Sequence, residues 1–121
     1  MRLGTTEVYE DWDESIRMID ISEIEPERLV SEVREPIANR QHILMLKALS
    51  WESKTFSDLS KLTGLCGGNL PFHLQKSLEK GMVLQRSERG DYIITRKGYF
   101  TLKGLSKIYS EIGQDQTSKN Q

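Results

Sequence analysis

The chain has 121 residues, 36% of them hydrophobic and 29% charged, the length and composition of one water-soluble domain with polar flanks. No apolar run approaches the roughly 20 residues that cross a bilayer, so no membrane partner is expected. A single cysteine, Cys66, excludes an intrachain disulfide, and residues 1–15 are acidic without the apolar stretch of a signal peptide, so a reducing, cytoplasmic setting is expected.

The formal net charge of -1 hides an asymmetry: residues 1–36 hold 4 Lys/Arg against 11 Asp/Glu, whereas residues 37–113 hold 12 against 6. A basic stretch behind an acidic leader fits a polyanionic partner, and it fits an ordinary solvated surface about equally well.

In chain order, residues 15–21 (SIRMIDI) alternate loosely between apolar and polar, as a short strand would. Pro26 suits the first turn of a helix with Leu29, Val30 and Val33 as its apolar stripe. Pro36 ends that helix or begins the next one. From Pro36 to Leu49 the positions Ile37, Ile43, Leu44, Leu46 and Leu49 predict a second helix. A short helix follows Trp51, with Ser57 as its N-cap, Leu59 and Leu62 as its buried side and Gly64 as its stop. Leu65, Cys66, Gly67 and Gly68 separate it from a helix over 69–80, ended by Gly81. Two short helices across a glycine-containing turn are the signature of a helix-turn-helix.

Residues 82–86 and 92–96 read as strands joined by a turn from Ser87 to Asp91, a hairpin that serves as the wing. A last helix over 97–112 carries Leu102, Leu105, Tyr109 and Ile112 as a heptad seam, widened by Tyr99, Phe100 and Ile108. Residues 114–121 are polar throughout and are expected to be disordered. The expected fold is mainly α with a small β-hairpin: a winged helix-turn-helix with flanking helices at both ends.

At 100° per residue, Leu70, Leu74 and Leu78 define the inner side of helix 69–80, flanked by Pro71 and Ser77. Asn69, Phe72, Lys76 and Glu79 face the other way, with His73 and Gln75 at the borders. A recognition helix brings its N-terminal part to the bases. Asn69 can pair with adenine and Phe72 can touch a thymine methyl. Lys76 and His73 suit phosphates, as does the helix opening at Gly67-Gly68. In the hairpin, Arg86 and Arg89 flank the tip and can reach a groove or its phosphates. Taken singly, Asn69 can be a helix cap and Phe72 a plain surface aromatic. An exposed Phe opposite a complete leucine stripe nevertheless asks for a partner.

Cys66, His42 and His73 lack the paired spacing that structural zinc needs, so no metal site is expected. No carboxylate pair, nucleophile beside a base, or phosphate-cradling loop is visible, so neither an enzyme nor a cofactor is expected.

Residues 40–98 resemble the ArsR-like winged-helix regulators of the archaeal kind. The likeness rests on Arg40 with Ile43-Leu44, Thr55 to Leu59, Thr63-Gly64-Leu65, Gly68-Asn69-Leu70, His73-Leu74, Gly81-Met82-Val83, Tyr92, Thr95 and Lys97-Gly98. It implies a homodimer joined through helices at the two ends of the chain, and so implicates Leu29, Val33, Leu102, Leu105, Tyr109 and Ile112. The sequence departs from that family in lacking its metal-sensing ligand sets, and in carrying Ser77 where a leucine is usual.

The expected organisation is an acidic N-terminal segment with a short helix (1–35), a DNA-binding domain (36–96), a dimerisation helix (97–113) and a disordered tail (114–121). The expected function is a sequence-specific regulator of transcription that binds double-stranded DNA as a homodimer. The alternative is a winged-helix module that docks on protein and does not bind DNA.

Overall fold

The structure, a computed structural model, describes residues 18–65, 68–87 and 90–119, the last five by backbone alone. It is helix-rich, with five helical stretches and one two-stranded antiparallel sheet. Among the described residues no helix is long and apolar enough to cross a membrane.

No strand forms among the described part of the SIRMIDI segment, whose residues 15–17 lie outside the described residues. Ile21–Glu23 is instead a 3₁₀ turn, held by the Asp20 carboxylate, which accepts from the Ser22 N–H (2.9 Å) and its hydroxyl (2.7 Å). Helix α1 is composite: α-helical turns at Pro26–Leu29 and Glu35–Ile37 enclose a π-helical segment at Val30–Arg34. Pro36 therefore neither ends α1 nor starts α2; it sits inside the last turn of α1. It has no N–H for the Glu32 carbonyl and its ring crowds that oxygen, which the wider π turn relieves.

Helix α2 (Arg40–Leu49) begins four residues later than expected, because Asn39 caps it by accepting from the Gln41 N–H at 2.7 Å. Its buried face is His42, Met45, Leu46 and Leu49, while Ile43 and Leu44 are only half-buried. Helix α3 (Phe56–Thr63) is capped by Thr55, not by Ser57. Thr55 and Asp58 form a reciprocal capping box, with the Asp58 N–H donating to Thr55 Oγ1 (3.1 Å) and the Thr55 N–H to Asp58 Oδ2 (3.2 Å). Leu59 and Thr63 form its buried side; Leu62 is exposed. Gly64 ends it at φ 73°, a left-handed conformation that suits glycine.

Cys66 and Gly67, which follow Leu65 in the sequence, lie outside the described residues. Helix α4 (Asn69–Glu79) buries Leu70, Leu74 and Ser77, with Leu78 half-buried and Pro71 exposed. It closes in a Schellman motif: Gly81 at φ 74° donates to the Leu78 carbonyl (3.0 Å) and the Met82 N–H donates to the Ser77 carbonyl (3.0 Å). The hairpin pairs β1 (Val83–Gln85) with β2 (Tyr92–Ile94) in the register Val83–Ile94, Leu84–Ile93 and Gln85–Tyr92. On the other side of β2 the Lys54 and Tyr92 backbones exchange hydrogen bonds of 3.1 and 2.7 Å, tying the segment before α3 to the sheet.

Helix α5 runs over Arg96–Lys119, past the boundary at 113 and through most of the stretch expected to be disordered. Residues 114–119 contain neither Gly nor Pro, so nothing in them breaks a helix already under way. One core joins the elements: Met45, Leu46 and Leu49 of α2, Leu59 of α3, Leu70 and Leu74 of α4, and Met82, Val83 and Ile94 of the hairpin region.

Ser77 is 1% exposed, and its hydroxyl has no hydrogen-bond partner among the described residues. A buried hydroxyl left unpaired costs about 1–3 kcal/mol. Ser77→Ala is therefore expected to stabilise the fold by about 1 kcal/mol, read as a higher midpoint in urea. A lower midpoint would show that the hydroxyl does have a partner in solution.

Candidate nucleic-acid interface

Helix α4 divides into two faces because its leucines recur every four residues. With Leu70 and Leu74 packed in the core, Asn69, Phe72 and Lys76 turn to solvent on the opposite side. Phe72 is 58% exposed, and Lys76 Nζ lies 5.5 Å from its ring centroid, so the two form one cationic-aromatic patch. Gly68 occupies the N-cap position, which leaves the Asn69 side chain without a capping role. Gly68 is exposed at the mouth of the helix, and a Cβ there would meet nothing within 4 Å. Gln75 and Glu79 on the flank bond each other (3.2 Å).

His73, at the border of the exposed face, is already engaged by a second ring. It is half-buried, and its Nδ1 lies 3.0 Å from Nε2 of the buried His42 on α2. His42 Nδ1 in turn lies 3.1 Å from the Pro36 carbonyl oxygen at the end of α1. The two rings meet edge to face, with centroids 5.0 Å apart. Burial pushes the His42 imidazole below its ordinary pKa, the Pro36 carbonyl pulls it the other way, and His73 and Lys76 lower it further. The sequence offers His73 as a phosphate contact and both histidines as candidate metal ligands, but nothing local in it pairs the two rings. Among the described residues no group of three His, Cys, Asp or Glu side chains gathers as a metal would need.

Arg86 is not a free contact at the hairpin tip. Its guanidinium is ion-paired with the Asp91 carboxylate and bonds Ser53 Oγ at 3.2 Å, and Ser53 also donates to Asp91 at 2.6 Å. The Ser53 hydroxyl and Arg86 hold the Asp91 carboxyl below the usual carboxylate range. This triangle straps the hairpin stem to the segment before α3. Arg89, and Glu88 beside it, lie outside the described residues. Lys97 is also committed: its Nζ bonds the Lys80 carbonyl (2.9 Å) and Glu32 Oε1 (2.8 Å), clamping α1 onto the start of α5.

The residues expected at a dimer interface fall on two surfaces. Leu29 and Val33 border a hollow of about 420 Å³ with Ile19 and Ile24. Leu102, Leu105, Tyr109 and Ile112 line an open groove of about 780 Å³ between α5 and α2, with Ile43 and Tyr99. Tyr109 at 77% exposure is the least covered of them. No family model, curated protein or solved structure matches this chain.

Proposed function

We propose that the chain is a winged helix-turn-helix regulator that binds operator DNA as a homodimer. The observation that carries this reading is helix α4, which follows α3 across a short turn and turns Asn69, Phe72 and Lys76 to solvent opposite a buried leucine row. The core does not use this exposed aromatic and cation, while a major groove accepts both. Arg86 and Asp91 brace the hairpin beside it. In a dimer, two copies of α4 enter successive major grooves about 34 Å apart, and occupancy of the site controls transcription.

Selection of bound fragments from sheared genomic DNA tests the reading. The expected outcome is enrichment of a site with two related halves. If nothing is enriched and the protein passes through heparin unretained at low salt, a protein-docking module replaces it.

The dimer carries its own prediction. The groove along α5 exposes aromatic and aliphatic side chains that the described residues leave uncovered, and a second copy covers them symmetrically. Sedimentation at micromolar concentration is expected to give about twice 14.0 kDa. A monomer that still binds its operator tightly would remove α5 from the interface.

A further inference from the structure

We propose that His73 and His42 form a proton-dependent oxyanion site, in which one proton taken up by the pair arms His73 Nε2 to hold a phosphate oxygen. This rests on the DNA-binding reading and specifies how one phosphate contact is made and regulated.

The hydrogen-bond chain fixes the protonation pattern. The Pro36 carbonyl can only accept, so His42 Nδ1 carries a hydrogen and donates across 3.1 Å. In the neutral ring His42 Nε2 is then a lone pair, and it accepts from His73 Nδ1–H at 3.0 Å. Neutral His73 has spent its single N–H on His42. Its Nε2 is a bare lone pair, with no hydrogen-bond partner among the described residues. Such a nitrogen repels a phosphate oxygen.

One added proton reverses this, wherever the charge resides. With the charge on His73, both of its nitrogens bear hydrogen and Nδ1–H still donates to His42. With the charge on His42, Nε2–H donates to His73 Nδ1, and the hydrogen of neutral His73 lies on Nε2. The two arrangements differ only by the position of one hydrogen within the 3.0 Å contact, and in both His73 Nε2 is a donor. A second proton sets two N–H groups against each other and breaks the link between α2 and α4.

The surroundings supply the anion preference. The pair borders a hollow of about 390 Å³ that Asn39, Lys76 and Lys80 also line. Among the described residues Glu35 is the one carboxylate lining it, and it is matched by Lys80 at 3.8 Å. Lys76 remains as a cation on the α4 side, so the described lining is net positive before the proton arrives. That charge resists protonation until an anion offsets it, and proton and phosphate therefore help each other to bind.

The test compares duplex affinity from about pH 8 to about pH 5, because burial holds the His42 imidazole below the ordinary value of about 6.5. The chain contains two histidines, so a step in this window is assignable by substitution. Affinity is expected to rise on acidification by up to roughly tenfold per pH unit through the step, and to lose that dependence in His73→Gln, checked for folding by circular dichroism. In parallel, the histidine ring resonances of the unmodified protein are titrated by NMR in chloride and in sulfate at matched ionic strength. Sulfate is expected to raise the first midpoint of the pair. Duplex binding that is flat in pH, or unchanged in His73→Gln, overturns the proposal and leaves the DNA reading standing. If no duplex binds at all, the DNA reading falls, and the sulfate titration decides the site alone: a raised midpoint supports it and an unmoved one overturns it.

Discussion

Gly98→Ala is expected to destabilise the fold by about 1–3 kcal/mol, although alanine is the better helix former by roughly 1 kcal/mol. A Cβ at position 98 would run into the Met82 carbonyl oxygen and lie 2.9 Å from Ile94 Cγ1. The carbonyl cannot swing aside cheaply, because it accepts from the Thr95 N–H at 3.0 Å. Ile94 is itself a core residue. Accommodating the methyl therefore means lifting the first turn of α5 off the hairpin. Gly104, farther along the same helix, is the matched control: a Cβ there meets nothing within 4 Å. Gly104→Ala is expected to stabilise by about 0.5–1 kcal/mol through the unfolded chain. Urea melts of the three proteins at one concentration read both signs. If Gly98→Ala melts with or above the parent, α5 does not approach the hairpin as closely as this in solution.

The same contrast explains what was legible in the sequence. Helix α4 was readable because its signals are local: leucines every fourth residue, Gly64 before it and Gly81 after it, the two glycines at positive φ. The capping box at Thr55 and Asp58 is also local, a Thr followed three residues later by a carboxylate, and it outcompetes Ser57, which lies within the first turn. The break at Asn39 was hidden because Pro36 drew the boundary to itself, whereas a π turn absorbs that proline within α1.

The rest depends on tertiary contact. His42 and His73 are 31 residues apart and meet only because α2 passes behind α4. Arg86 reads as a tip residue until Ser53, 33 residues earlier, is brought beside it and Asp91. Lys97 and Glu32 are 65 apart. Patterning locates faces, and it does not say which charges on a face are already spent within the chain.

That distinction makes α4 the sharper place to test function, since Asn69 and Lys76 are exposed there and neither side chain makes an ion pair or hydrogen bond among the described residues. Affinity for any duplex is expected to fall with salt, because each phosphate that the protein neutralises releases condensed counterions, at a log–log slope of about -0.9 per contact. Lys76→Ala is expected to flatten that slope by roughly one unit and to weaken binding to all duplexes about eightfold at about 0.1 M salt. Asn69→Ala is expected to leave the slope and non-specific binding nearly unchanged, while costing about 1–3 kcal/mol on the selected site. Neither substitution is expected to shift the melting midpoint, because the packing side of α4 is Leu70, Leu74 and Ser77. Anisotropy titrations at several salt concentrations separate the two kinds of loss. Equal losses on selected and random duplexes for Asn69→Ala would make it another backbone contact and move base reading elsewhere on the protein. An unchanged slope for Lys76→Ala would take the phosphate backbone away from the exposed face of α4.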